Sequence, residues 1–282
     1  MKSAVISRSE DEAPRAPQLQ RTYGKSRIAW TRAGGRTVLD RLEQEGAAKI
    51  RLPHGEAGDP PLAVILNTAG GLTGGDRIET SIEVGPGCRA IATSQACERI
   101  YRSLGPDAVV ETKLTVREGA RLDWLPQETI LFEGGRLSRS LEADIADDAS
   151  LLAVESTIFG RAAMGERVRS GMLHDRWRIR RNGRLILADD LHMDWAIAGL
   201  LDNAATLAGA GAVATILFVS DEAARLVEPL RAVIGDLGGV SAWDGKLVAR
   251  LAAPDGQGLR RMLVPALTAM LAGPSLPKLW QT

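Results

Sequence analysis

One pattern constrains this chain more than any other. Apolar and polar residues alternate with period two in three separate runs, and each run closes in a similar turn. Ile78, Thr80, Ile82 and Val84 fall on one side of the first run, with Glu79, Ser81 and Glu83 on the other. Val110, Thr112, Leu114 and Val116 alternate with Glu111, Lys113 and Thr115 in the second. Leu137, Arg139, Leu141, Ala143 and Ile145 form the third, where Arg139 breaks the apolar side. Alternation of this kind predicts strands with one face buried. The runs end as Val84-Gly-Pro-Gly87-Cys88, Val116-Arg-Glu-Gly119-Ala120 and Ile145-Ala-Asp-Asp148-Ala149, each leading into a second apolar strand. Gly and Asp tolerate turn geometry. Copies about 30 residues apart, with two strands each, predict stacked β layers in a solenoid-like arrangement, because one copy alone cannot bury its apolar face.

The rest of the chain follows from local signals. Trp177 to Leu187 reads as a hairpin around Asn182-Gly183, a strong hairpin-turn dipeptide. Val213–Val219 and Lys246–Ala252 read as strands. Asp221–Ile234 and the stretch from Leu259 to Met270 carry helical spacing, each with an internal proline; Pro229 is expected to kink its helix. The expected fold is therefore mainly β: stacked, solenoid-like repeats, with a C-terminal α+β portion carrying about two helices. Residues 1–20 read as a disordered tail without the apolar region of a signal peptide, 21–205 as the β-rich body, and 206–282 as the α+β portion packed on it.

Lysine plus arginine equals aspartate plus glutamate, 35 of each, which argues against a nucleic-acid partner or a basic membrane-surface protein. Zero net charge also lowers solubility and favours life in a complex. No stretch reads as a membrane span. Cys88 and Cys97 are too few for a disulfide scaffold and read as reduced thiols of a cytosolic protein. His54, His174 and His192 stand apart in sequence, with no HExxH or HxH spacing, which gives a zinc enzyme little support. Ser94 has no nucleophile elbow around it.

The run Asn67-Thr-Ala-Gly70-Gly71-Leu-Thr-Gly74-Gly75-Asp76 lacks the GK[ST] ending of a phosphate loop and leads into a strand rather than a helix. It reads instead as a sharp turn that either caps itself with Asp76 or presents that carboxylate to a metal ion. Two other classes stay open on the residues alone: a β-rich interaction module without a metal role, and a hydrolase using paired carboxylates such as Glu128 and Glu133.

This glycine run resembles the hallmark of the urease accessory protein UreD (UreH) family. The resemblance continues through Thr93-Ser-Gln-Ala-Cys-Glu-Arg-Ile-Tyr-Arg-Ser103, Trp124-Leu-Pro-Gln-Glu-Thr-Ile-Leu-Phe132 and Phe159-Gly-Arg-Ala-Ala-Met-Gly-Glu166. Gly34-Gly-Arg-Thr-Val-Leu39 and Leu276-Pro-Lys-Leu-Trp280 are similar too. The resemblance implies a cytoplasmic, non-catalytic scaffold with no tightly bound cofactor. It implies partnership with UreF, with the GTPase UreG through UreF, and with urease apoprotein. It also implies transient Ni²⁺ guided through an internal polar passage. By motif position, the carboxylates expected to line that passage are Asp76, Glu155 and Asp189. The doubled acidic run Asp189-Asp190 leaves the last register open between the two.

Overall fold

The computed structural model describes residues 20–55, 58–161, 164–271, 273 and 275–280. The expected tail therefore lies, but for Gln20, outside the described residues. Two β-sheets face each other. The first has seven strands: β1 (Tyr23–Ala33), β2 (Arg36–Gly46), β5 (Arg77–Val84), β8 (Ala108–Val116), β11 (Arg136–Ile145), β13 (Met172–Arg181) and β14 (Arg184–Asp194), in the order β14-β13-β11-β8-β5-β1-β2. The main path of the second contains β3 (Ala48–Arg51), β4 (Leu62–Asn67), β6 (Arg89–Ser94), β9 (Arg121–Leu125), β12 (Ser150–Phe159), β15 (Ala212–Val219), β16 (Gly238–Trp243) and β17 (Lys246–Ala253). Short β7 (Glu98–Ile100) and β10 (Thr129–Leu131) complete it, β10 pairing with both β12 and β7.

The three alternating runs are β5, β8 and β11, paired in parallel with β8 in the middle. Each turns into a strand of the facing sheet, β6, β9 or β12, and these stack in parallel too. The repeated turn is the same object three times. The amide of Cys88 donates to Gly85 O, that of Ala120 to Arg117 O and that of Ala149 to Ala146 O. Gly87 and Gly119 take positive φ, 63° and 62°, the conformation glycine adopts without steric penalty. The third copy has Asp148 there, and its carboxylate accepts from the amide of Gly119 one layer below. The stack runs further than the three copies: β1 and β13 add parallel layers to the first sheet and β4 adds one to the second.

The motif blocks form the far corner of each layer. The glycine run crosses from β4 in one sheet to β5 in the other, so it joins sheets rather than closing a hairpin. Leu72 within it bridges in parallel to Ile100 of β7. Leu72, Ile100, Leu131 and Phe159 recur at about the same place in successive layers and are buried in one cluster. A fully buried side chain of this size contributes about 1.5–3 kcal/mol. A Cβ on Gly74 would overlap Ser103 and the carbonyl of Pro106, so the run is glycine-rich partly because the next layer lies against it.

The last third of the chain extends the second sheet: β15 pairs antiparallel with β12, β17 with β15 and β16 with β17. Helices α2 (Val227–Ile234) and α3 (Gly256–Met270) share a core with the outer face of this sheet, together with Trp280. A third short helix, α1 (Ile197–Asp202), contributes Ile197 and Leu201 to the corner cluster. Pro229 does not kink a long helix as expected. A 3₁₀ turn over Ala223–Leu226 precedes α2, and Pro229 is the third residue of α2, within the first turn where an amide lacks an intrahelical acceptor anyway.

Candidate functional site

The space between the sheets holds two apolar clusters, one near the repeated turns around Ile82, Leu114 and Trp177, the other at the motif corner around Leu72, Leu137 and Leu173. Buried polar side chains occur on strands that contribute to both. From the seven-stranded sheet come Ser26, Thr80, Thr112, Arg139 and Asp175; from the facing sheet come Thr129, Glu155 and Thr157.

Arg139 is the centre of this set. It occupies an inward position on β11, level with Asp175 on β13. Its Nε and Nη2 donate to the two oxygens of Asp175 at 3.1 and 2.6 Å, a bidentate fork. Its Nη1 crosses the gap to Glu155 Oε2 at 2.7 Å and also reaches Thr129 Oγ1 at 3.2 Å. The other oxygen of Glu155 accepts from Trp124 Nε1 at 3.0 Å. One cation thus faces two carboxylates, and all three are nearly inaccessible to solvent. Burial opposes the guanidinium charge, yet Asp175 and Glu155 outweigh it and hold the pKa above the usual arginine value. Burial pushes the Glu155 carboxyl up; Arg139 pulls it back only in part, and the charge on Asp175 adds to the rise.

Two cavities share this cluster as a wall. One, of about 230 Å³, opens among Asn67, Cys97, Glu98 and Thr112 and reaches Arg139 and Glu155. The other, of about 580 Å³, has Arg139, Glu155, Thr157 and Asp175 at one side and Thr206 and Arg250 at the other.

The three carboxylates singled out from the motifs have different surroundings. Glu155 sits at the meeting point of the cavities. Asp189 lies on β14 opposite Trp177 and is paired with Arg250, which lines the larger cavity; Asp189 itself lines neither. Asp190, the alternative register, pairs with Arg178 and His174. Asp76 is buried and caps its own corner: Oδ1 accepts from the amide of Thr22 at 2.7 Å and Oδ2 from the amide of Thr73 at 2.8 Å. It lines neither cavity. Asp76→Ala should therefore lower stability by about 1.5–3 kcal/mol, the worth of hydrogen bonds to a charged group. A shifted urea midpoint would register the loss; an unchanged midpoint would show that the corner holds without its cap. Among the described residues, no three His, Cys, Asp or Glu side chains are placed to hold a metal ion together.

Comparison with known protein families matches residues 23–281 to the UreD urease accessory protein. The chain belongs to the UreD family. It is 48% identical over 263 residues to a urease accessory protein UreD of Rhizobium leguminosarum bv. viciae, covering 93% of this chain and 96% of that one. It is 48% identical to UreD of Mesorhizobium japonicum over 94% of this chain and 95% of the relative, and 46% identical to UreD 1 of Brucella abortus over 93% and 95%. UreD proteins are non-catalytic accessory proteins of urease maturation, so this chain works with the urease maturation components rather than as an enzyme.

The carboxylates considered for hydrolysis fit this UreD assignment. Glu128 is buried and gripped by Arg260, whose Nε donates to Oε1 at 2.7 Å and whose Nη2 donates to Oε2 at 3.1 Å. Glu133 accepts from the Ser170 hydroxyl at 2.9 Å and from the amide of Arg169. Cys97 lies 3.4 Å from Glu128 Oε2; burial, then the Glu128 charge, pushes its thiol up to about 11, so it is a poor thiolate at neutral pH. Arg139 and Asp175 were not singled out as site residues from the sequence. The signal was present in Arg139, a charge on the apolar side of an alternating strand. Asp175 gave none, since its partner is 36 residues away. Among the described residues, no helix is long and apolar enough to cross a membrane.

Proposed function

We propose that this UreD chain guides Ni²⁺ as cargo between the two sheets toward urease apoprotein. In this reading it works in the cytoplasm within a complex with UreF and, through UreF, UreG. The observation that supports the reading best is the meeting of the two cavities at Arg139 and Glu155, with Asp175 on the side of the larger one. Oxygen donors hold a borderline ion such as Ni²⁺ more loosely than nitrogen or sulfur sets, which suits hand-off. An arriving ion takes the place of the guanidinium on Glu155 while the bidentate bonds to Asp175 retain Arg139. When the ion moves on, Arg139 closes the contact again. Asp189, held by Arg250 at the larger cavity, is the second transient carboxylate, and Asp76 acts as the anchor of the corner rather than as a ligand. Direction comes from GTP hydrolysis in the partner. Urease co-expressed with its accessory proteins, with and without this chain, tests the proposal by nickel analysis of the purified enzyme and by co-purification of UreF. Near-empty urease without the chain, and UreF retained on it, are expected. Fully nickel-loaded urease in its absence would overturn the delivery role.

A further inference from the structure

The three histidines are far apart in sequence, yet the fold brings two of them together. His174 of β13 and His192 of β14 are directly opposed across an antiparallel pair, so both project from the same face. That face is the outer one, because Leu173, Asp175 and Trp177 point inward; His192 is exposed and His174 half-buried. The opposition depends on a β-bulge. The hairpin turns at Asn182-Gly183, both with positive φ, and the register slips by one between Ile179 and Arg180. Without that slip His174 would face Leu191.

The ring centroids are 5.0 Å apart with a 44° tilt. With metal–nitrogen bonds of about 2.0–2.1 Å, two imidazoles on one ion have centroids about 4.5–5 Å apart. His174 Nε2 lies 2.9 Å from Asp190 Oδ1. Donation of Nε2–H to that carboxylate leaves Nδ1 with its lone pair free, the carboxylate–histidine arrangement that fixes the tautomer of metal-binding imidazoles. Asp190 is in turn held by Arg178 Nη2 at 2.5 Å. The surrounding charge is mixed: Asp190 and Asp194 on β14, Arg176 and Arg178 on β13, and Glu142 on β11 opposite Arg178.

We propose that His174 and His192 form a two-imidazole surface site for a divalent transition metal of the Ni²⁺, Cu²⁺ or Zn²⁺ class, oriented by Asp190. Imidazole suits these ions, and two protein nitrogens leave the remaining positions to water or to a ligand from a docked partner. The site is separate from the space between the sheets and stands whether or not that space carries nickel.

Histidine-selective NMR of the untagged full-length chain tests this directly, since His54 is the only other histidine and serves as an internal control. Zn²⁺ should shift the His174 and His192 ring signals together, and Ni²⁺ should broaden them, before either affects His54. His192→Gln and His174→Gln should each weaken metal binding in calorimetry by about tenfold or more, and Asp190→Asn by about tenfold. Neither inter-sheet cavity is lined by a histidine, so the ring signals of His174 and His192 separate this site from the inter-sheet proposal. Equal response of all three histidines, or wild-type affinity in folded His192→Gln protein, would overturn the assignment.

Discussion

Arg139→Met is expected to lower stability by about 3–5 kcal/mol, the usual consequence of removing one partner from a buried ion pair. At about 2–4 °C per kcal/mol for a chain of this size, the melting temperature should fall by about 6–20 °C. Methionine fills much of the same space, so the loss is electrostatic rather than a cavity. Asp175 would lose both of its bonds to Arg139, and Glu155 would keep only Trp124 among its present partners. Glu155 is already raised by burial, and Arg139 is its largest counterweight. The deficit should therefore be greatest at neutral pH and smaller in mild acid, where the carboxyl is protonated. Urea denaturation across that range measures it. A loss under about 1 kcal/mol would mean that water or another cation satisfies the two carboxylates.

Glu155→Gln is expected to have the largest effect on nickel loading among single substitutions that keep the fold. Glutamine is isosteric and its side-chain oxygen still accepts a hydrogen bond, but it cannot offer an anionic oxygen to a passing cation. A charged contact contributes about 1.5–3 kcal/mol, which is about ten- to a hundredfold in occupancy. Urease matured with this variant should contain correspondingly less nickel while UreF still co-purifies. Full loading would remove Glu155 from the route. The same variant has a signed effect on stability. The folded-state pKa of Glu155 is raised, so its contribution to stability is present below the unfolded value and is lost as pH rises through the folded one. Wild type should lose stability relative to Glu155→Gln over that rise, and the opposite trend would show that Arg139 dominates over burial.

Much of the architecture was legible because it is local. Period two in β5, β8 and β11, the recurring turn and Asn182-Gly183 each need only a few consecutive residues to declare themselves. The N-terminal hairpin of β1 and β2 was not expected: its second strand, Arg36–Gly46, is mostly exposed and has no buried side to create a pattern. The strand β16 was missed for a similar reason, with glycines at its first two positions. Glu155 was reached through its place in a motif, whereas its chemical meaning comes from Arg139, on the facing sheet and 16 residues away.

The glycine run shows where the two kinds of information divide. By itself, the sequence determined that the chain is a stack of β layers, that a tight, glycine-dependent corner lies between β4 and β5, and that the motifs are those of UreD. Those properties depend on backbone freedom and on alternation along one strand. Only the tertiary structure decided that Asp76 spends both oxygens on the amides of Thr22 and Thr73, that Glu155 shares Arg139 with Asp175, and that a one-residue bulge sets His174 against His192. A side chain's partners across a sandwich are set by register and layer stacking. These are sums over many pairings, which no local pattern contains.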